Sequence, residues 1–115
     1  MKIRIKRVYE PVEPGDGIRV LVDRLWPRGL SKEAAQIDVW VKELAPSTEL
    51  RRWFHGDEGN WSEFKRRYRR ELEARKESAA ALRKRLGAKG ATFVYATKAE
   101  AHNHAQLLKA FLERV

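Results

Sequence analysis

With 115 residues, 43% of them hydrophobic, the chain has the size of one domain with one core, and the absence of cysteine excludes disulfides, thiolate metal sites and cysteine nucleophiles. No apolar run approaches the roughly 18 residues that span a bilayer, and Met1-Lys2-Ile3-Arg4 leads into alternation rather than an apolar signal core, so a cytoplasmic protein with no membrane partner is the expectation. The net charge of +9 is concentrated in one segment: residues 1–64 carry eleven basic and eleven acidic side chains, whereas residues 65–89 carry eleven basic ones against Glu71, Glu73 and Glu77.

Along the chain, Ile3-Arg4-Ile5-Lys6-Arg7-Val8 alternates apolar and basic residues and predicts a half-exposed or edge strand. Pro11, Pro14 and Gly15-Asp16-Gly17 make a turn. Residues 18–24 predict a second strand, apolar on both faces as a central strand covered by helices is. It runs into the loop Trp26-Pro27-Arg28-Gly29, and Ser31-Lys32-Glu33-Ala34 follows as a short capped helix. Ile37-Asp38-Val39-Trp40-Val41 alternates like a strand but is compatible with irregular chain.

Pro46-Ser47-Thr48-Glu49 opens a helix through Leu50, Trp53 and Phe54 that ends at Gly56 and Gly59. Asn60 with Glu63 starts a long basic helix reaching about Leu86, with Trp61, Phe64, Tyr68, Leu72, Ala79, Leu82 and Leu86 on one apolar stripe. Thr92 to Ala96 predicts another buried strand, and Thr97 with Glu100 predicts a capped final helix to Glu113. The order predicts one α/β domain over residues 1–115: a small, mostly parallel sheet of about three to four strands flanked by helices.

Parallel strands at 18–24 and 92–96 would open their carboxyl ends into one crevice. Asp23, Arg24 and Arg28 from the first loop then meet Lys98, Asn103 and His104 from the second, and the free amides of the last helix add positive potential, so the expected ligand is an anion. Asp23 can equally hold Arg24 or Arg28 in a structural pair, and His104 can be a core-rim histidine. His102, on the opposite face of a continuous helix, reads as solvent-exposed, and its spacing from His104 does not suit a metal site. No metal or cofactor is expected. Trp53-Phe54-His55-Gly56-Asp57 reads as packing and a helix end, or as a His-Asp pair beside a pocket for a planar ring. Arg66, Arg67 and Arg70 form a basic face suited to nucleic acid or simply to solvent.

Leu21-Val22-Asp23-Arg24-Leu25-Trp26-Pro27-Arg28-Gly29-Leu30-Ser31-Lys32, with Leu44-Ala45-Pro46-Ser47, Leu50-Arg51, Trp53-Phe54-His55 and Asn103-His104-Ala105, resembles the YeaO-like family, catalogued as domain of unknown function number 488. The likeness runs nearly end to end and implies a compact α/β fold. In the wider family a similar strand ends in Asp and Arg followed by Pro and Arg, and the last strand leads to a Cys-His-Arg signature. Asn103-His104-Ala105 stands in its place here, which implies a branch that keeps the pocket and drops the chemistry.

Three functions follow. The first is a domain that binds a phosphate-bearing or nucleotide-like anion at Asp23, Arg24, Arg28, Lys98, Asn103 and His104. The second is a hydrolase or transferase on a nucleotide-like substrate, with His104 as acid or base and Asp23 as its partner. The third is nucleic-acid binding through the basic helix.

Overall fold

The computed structural model describes residues 2–98 and 102–114. Its centre is β4 (Ala91–Tyr95), whose residues are all buried. A strand apolar on both faces needs neighbours on both edges and cover on both sides, and β4 has them. It pairs in parallel with β1 (Ile3–Arg7) on one side and β2 (Ile18–Leu21) on the other, and β2 pairs in parallel with the short β3 (Val39–Trp40). The order is β1-β4-β2-β3, so the sheet is four-stranded and all parallel. The basic alternating β1 is an edge strand, as its charges predict, and residues 37–41 do contain a strand, shortened to a pair of residues at the other edge.

The two faces of the sheet are covered unequally. Val20, Val22, Phe93 and Tyr95 join one large cluster with residues of α2 (Thr48–Phe54), α3 (Trp61–Ala74), α4 (Lys76–Leu86) and α5 (His104–Arg114). Leu21, Val94 and Val8 form a smaller cluster with Trp26, Leu30, Ile37 and Trp40, supplied by the irregular chain around α1 (Lys32–Ala35). Trp26 meets Trp40 edge-on at 5.5 Å and donates to the Leu30 carbonyl at 2.7 Å, so the loop tryptophan is a packing residue.

The local starts follow the sequence. Ser31 accepts the Ala34 amide ahead of α1, Ser47 accepts that of Leu50 ahead of α2, and Asn60 accepts that of Glu63 ahead of α3. Two expectations are corrected. The long basic helix is two helices, broken at Arg75, whose backbone leaves the helical region at φ −117° and ψ 29°. Neither Pro nor Gly lies there. Instead the apolar stripe lapses between Leu72 and Ala79, where Arg75 and Lys76 offer nothing to bury, and the chain re-aims before the stripe resumes. The final helix begins at His104 rather than near Thr97: Thr97 and Lys98 are not helical, Asn103 Oδ1 accepts the Gln106 amide at 3.2 Å, and Glu100 and Ala101 lie outside the described residues.

Strand β2 also carries one residue that its apolar reading overlooks. Arg19 is 2% exposed, with its guanidinium on Asp16 at 2.6 Å and on the Ala35 carbonyl at 2.9 and 3.1 Å. Asp16 also receives Lys6 at 3.1 Å and the Glu13 amide at 3.2 Å, while its own carbonyl accepts the Thr92 hydroxyl. Next to it, Gly17 adopts φ +64°, and a Cβ there would stand 2.3 Å from the Gly90 carbonyl oxygen. The β1–β2 connection is thereby held against β4 and α1.

Burial opposes ionisation of Asp16, but the Glu13 amide, Lys6 and Arg19 outweigh it and hold its carboxyl below the ordinary value of 3.8. A carboxyl lowered on folding contributes stability that is present above its unfolded value and lost as pH falls through the folded one. Asp16→Asn should therefore cost about 3 kcal/mol at neutral pH by stranding the buried Arg19 charge. Urea titrations across pH should show the wild-type stability falling below about pH 4 and a shallower acid limb in the variant. Gly17→Ala should be destabilised by both the positive φ and the Gly90 contact, read as a lower Tm.

Candidate functional site

The site grows from where β2 and β4 end. Both strands deliver their following residues to the same edge of the sheet, because they run parallel and in register from Ile18–Ala91 to Leu21–Val94. The ladder continues one step, with the Val22 amide on the Val94 carbonyl at 3.2 Å. Asp23 follows at once. Its Oδ2 accepts the Ala96 amide at 2.9 Å, which ties the exit of β2 to the exit of β4.

Its other oxygen, Oδ1, lies 3.0 Å from His104 Nε2, and the same nitrogen lies 3.0 Å from the Val22 carbonyl oxygen. Both partners are acceptors, so Nε2 carries the hydrogen and shares it between them. Nδ1 is left as the ring's remaining polar atom. The imidazole stands edge-on to Tyr68 at 6.2 Å. Tyr68 is fully buried and donates to the Leu44 carbonyl; burial, reinforced by the charges of Glu71 and Asp23, pushes its hydroxyl well above the ordinary range and keeps it protonated.

Around this pair is a cavity of about 340 Å³. Asp23, Arg24, Asn103 and His104 line it, so those expected residues are brought together. Arg24 reaches the Pro46 and Ala45 carbonyls only at 3.4 Å, which leaves most of its five donors for other acceptors. Asn103 is 3% exposed and holds the first turn of α5. Arg28 and Lys98 are exposed and are not among the lining residues; the Arg28 carbonyl accepts the Tyr9 hydroxyl instead. Asp23 pairs with neither Arg24 nor Arg28, its carboxylate being engaged by Ala96 and His104.

The remaining wall comes from residues that the strand-end argument did not reach: Arg51 and His55 at the end of α2, Trp61 at the start of α3, and His102. His102 is exposed but not given over to solvent alone; its ring stacks on Trp61 at 4.7 Å and 12°. The helical-face argument separating it from His104 fails because the helix starts only at His104. Trp61 in turn stacks on Phe64 at 5.5 Å and meets Phe54 at 6.0 Å, giving the cavity an aromatic side. The Trp53-Phe54-His55 segment thus contributes both packing and wall. A signal for this was present in the sequence, where an arginine and a histidine flank those aromatic residues at the end of one short helix.

Among the described residues, no group of three or more His, Asp or Glu is placed to hold a metal ion, and no helix is long and apolar enough to cross a membrane. On the basic helix, Arg66 and Arg67 both pair with Glu63, at 3.4 and 2.9 Å, and Arg67 lies over the Trp53 ring at 4.0 Å, while Arg70 is exposed.

The chain is 43% identical over 111 residues to the uncharacterized protein Rv3073c of Mycobacterium tuberculosis, covering 96% of this chain and 93% of that protein. It is 42% identical over 112 residues to the uncharacterized protein YeaO of Escherichia coli, covering 97% of each. No solved structure matches it. A family model described as the inactive DUF488-N3 subclade matches residues 2–115, and the chain therefore belongs to the DUF488 family, within that subclade.

Proposed function

We propose that the cavity at the carboxyl ends of β2 and β4 binds a small phosphate-bearing or nucleotide-like anion and does not turn it over. The observation that carries this reading is the charge left over after the internal pairings are made. Asp23, the one acidic lining residue among the described residues, is engaged through both oxygens by Ala96 and His104, whereas Arg24 and Arg51 line the same cavity with donors to spare. The positive end of α5 adds to that potential. A volume of about 340 Å³ suits a small ligand, and the Phe54, Trp61 and Phe64 side offers a surface for a planar ring. Arg28 and Lys98, both exposed, would act as an outer basic surface rather than as direct ligands.

Binding without turnover follows from what stands beside the histidine. The family description names an inactive subclade, and the chain contains no cysteine. At the position where the wider family's signature opens, Asn103 spends its side-chain oxygen on the Gln106 amide. The second reading, a hydrolase or transferase with His104 as acid or base, is favoured by the contact between Asp23 and His104, since a carboxylate on one ring nitrogen is how an imidazole is oriented for proton transfer at the other.

A thermal-shift panel of phosphate, pyrophosphate and nucleoside mono- and diphosphates tests the first reading. A true ligand at a hundredfold excess over its Kd adds about 2.7 kcal/mol, a Tm rise of roughly 10 °C for a domain of this size. That rise should be lost in Arg24→Ala and in Arg51→Ala and should persist in Arg28→Ala. No shift with any member, or a shift indifferent to Arg24 and Arg51, rejects the pocket. Product release from the same nucleotides, absent in His104→Ala, would replace binding by catalysis.

Long-range proton–nitrogen correlation spectra should show a hydrogen on His104 Nε2, and Asp23→Ala should cost about 1–3 kcal/mol in urea unfolding by removing the acceptor for Ala96. A hydrogen on Nδ1 with none on Nε2 contradicts the orientation described above.

A further inference from the structure

The basic segment that gives the chain its charge borders a second cavity, on a different part of the molecule from the strand-end pocket. Helix α5 is apolar on more than the side that faces the sheet. Ala105, Leu108 and Leu112 are buried in the core, but Leu107 and Phe111 are only half-buried and Ala110 is exposed. A helix that meets water on its outer side ordinarily turns polar there. Here Leu107, Ala110 and Phe111, at i, i+3 and i+4, join Tyr68 and Leu72 of α3 in lining a groove of about 540 Å³.

Its remaining lining is strongly positive. Lys65, Arg66 and Arg69 from α3, Lys76 from α4 and Arg114 from α5 surround the apolar floor, against a single acid among the described residues, Glu73. Arg66 shares Glu63 with Arg67, but among the described residues no ion pair holds Lys65, Arg69, Lys76 or Arg114. An apolar trough between two helices, bordered by unspent cations, is the complement of an amphipathic helix whose apolar stripe is flanked by carboxylates. We infer that this α3–α5 groove docks an acidic amphipathic helix of a partner protein.

The charge and the floor together select this occupant. A second copy of the chain brings a further net charge of +9 and is repelled. Nucleic acid satisfies the cations but not the floor, because phosphates gain nothing from Leu107 and Ala110, and Tyr68 is too buried to stack on a base. A partner helix buries the floor and neutralises the cations at once. Its binding is independent of the anion pocket.

Fluorescence anisotropy on the full chain tests the inference, with a helical peptide carrying Leu at i, i+3, i+4 and i+7 and Glu elsewhere as probe. A peptide of the same composition with the leucines scattered, and a labelled DNA duplex, run alongside. Only the amphipathic peptide should bind. Its affinity should fall about tenfold or more in Lys65→Glu/Arg69→Glu and also in Ala110→Glu, which obstructs the floor at an exposed position without opening the core. Circular dichroism checks that both variants keep their helices, and Arg85→Glu, outside the groove, should leave binding unchanged. Failure of the amphipathic peptide to bind, equal binding of the scattered one, or indifference to Ala110→Glu overturns the proposal. DNA binding lost on reversal of Lys65 and Arg69, with no peptide binding, assigns the surface to nucleic acid instead.

Discussion

Parallel pairing on both sides of β4 is the constraint from which the rest of the molecule follows. With β1 and β2 both parallel to it, this fully buried strand is paired along both edges, and the chain leaves β2 and β4 at the same edge. Asp23 then closes the gap between the two exits, one oxygen on the Ala96 amide and the other on His104. The site is thus less an addition to the fold than the place where two strand ends are fastened together. Removing the register removes the site.

The unequal covering of the sheet has a related cause. Four helices on one face bury large aliphatic and aromatic side chains there, while the other face is closed by a short irregular stretch with few of them. A buried polar network fills the deficit. Lys6, Asp16 and Arg19, with Thr92 and the Ala35 carbonyl, satisfy one another across β1, the β1–β2 connection, β2 and α1, and among the described residues no buried side-chain polar atom is left without a partner. Such a network stabilises less than an apolar core of equal volume, but it fixes one arrangement of the chain, since any other strands a charge.

Much of this was legible in the sequence. Alternation in residues 3–8, the apolar run from Val20 to Val22 and the Thr92–Tyr95 segment carry the strand signal, and Ser31, Ser47 and Asn60 mark helix starts by a chemistry local to a few residues. What was not legible is non-local. Arg19 sits in the buried strand because its partner Asp16 lies on a turn whose position only the folded chain defines. The break at Arg75 depends on what α3 and α4 pack against. Helix α5 starts at His104, with the Asn103 side chain on the Gln106 amide, so His102 lies ahead of the helix and on the Trp61 stack rather than on a solvent face. Asp23, Arg24, Asn103 and His104 came from strand-end reasoning; Arg51, His55 and Trp61 arrived from a helix and a helix start brought in by tertiary packing alone.

Position 103 carries a structural role in this chain, whose subclade is described as inactive. A nucleophile must keep its reactive atom exposed to substrate, whereas a helix cap must turn its side chain back onto the backbone. Asn103 does the second, and it is 3% exposed. Asp23 and His104 are committed in the same way, to Ala96 and to the Val22 carbonyl, so each has a structural role. Arg24 is the exception, since its contacts of 3.4 Å to the Ala45 and Pro46 carbonyls are too long to account for a guanidinium held at this rim. That side chain keeps most of its donor capacity unspent, beside a frame that has spent its own.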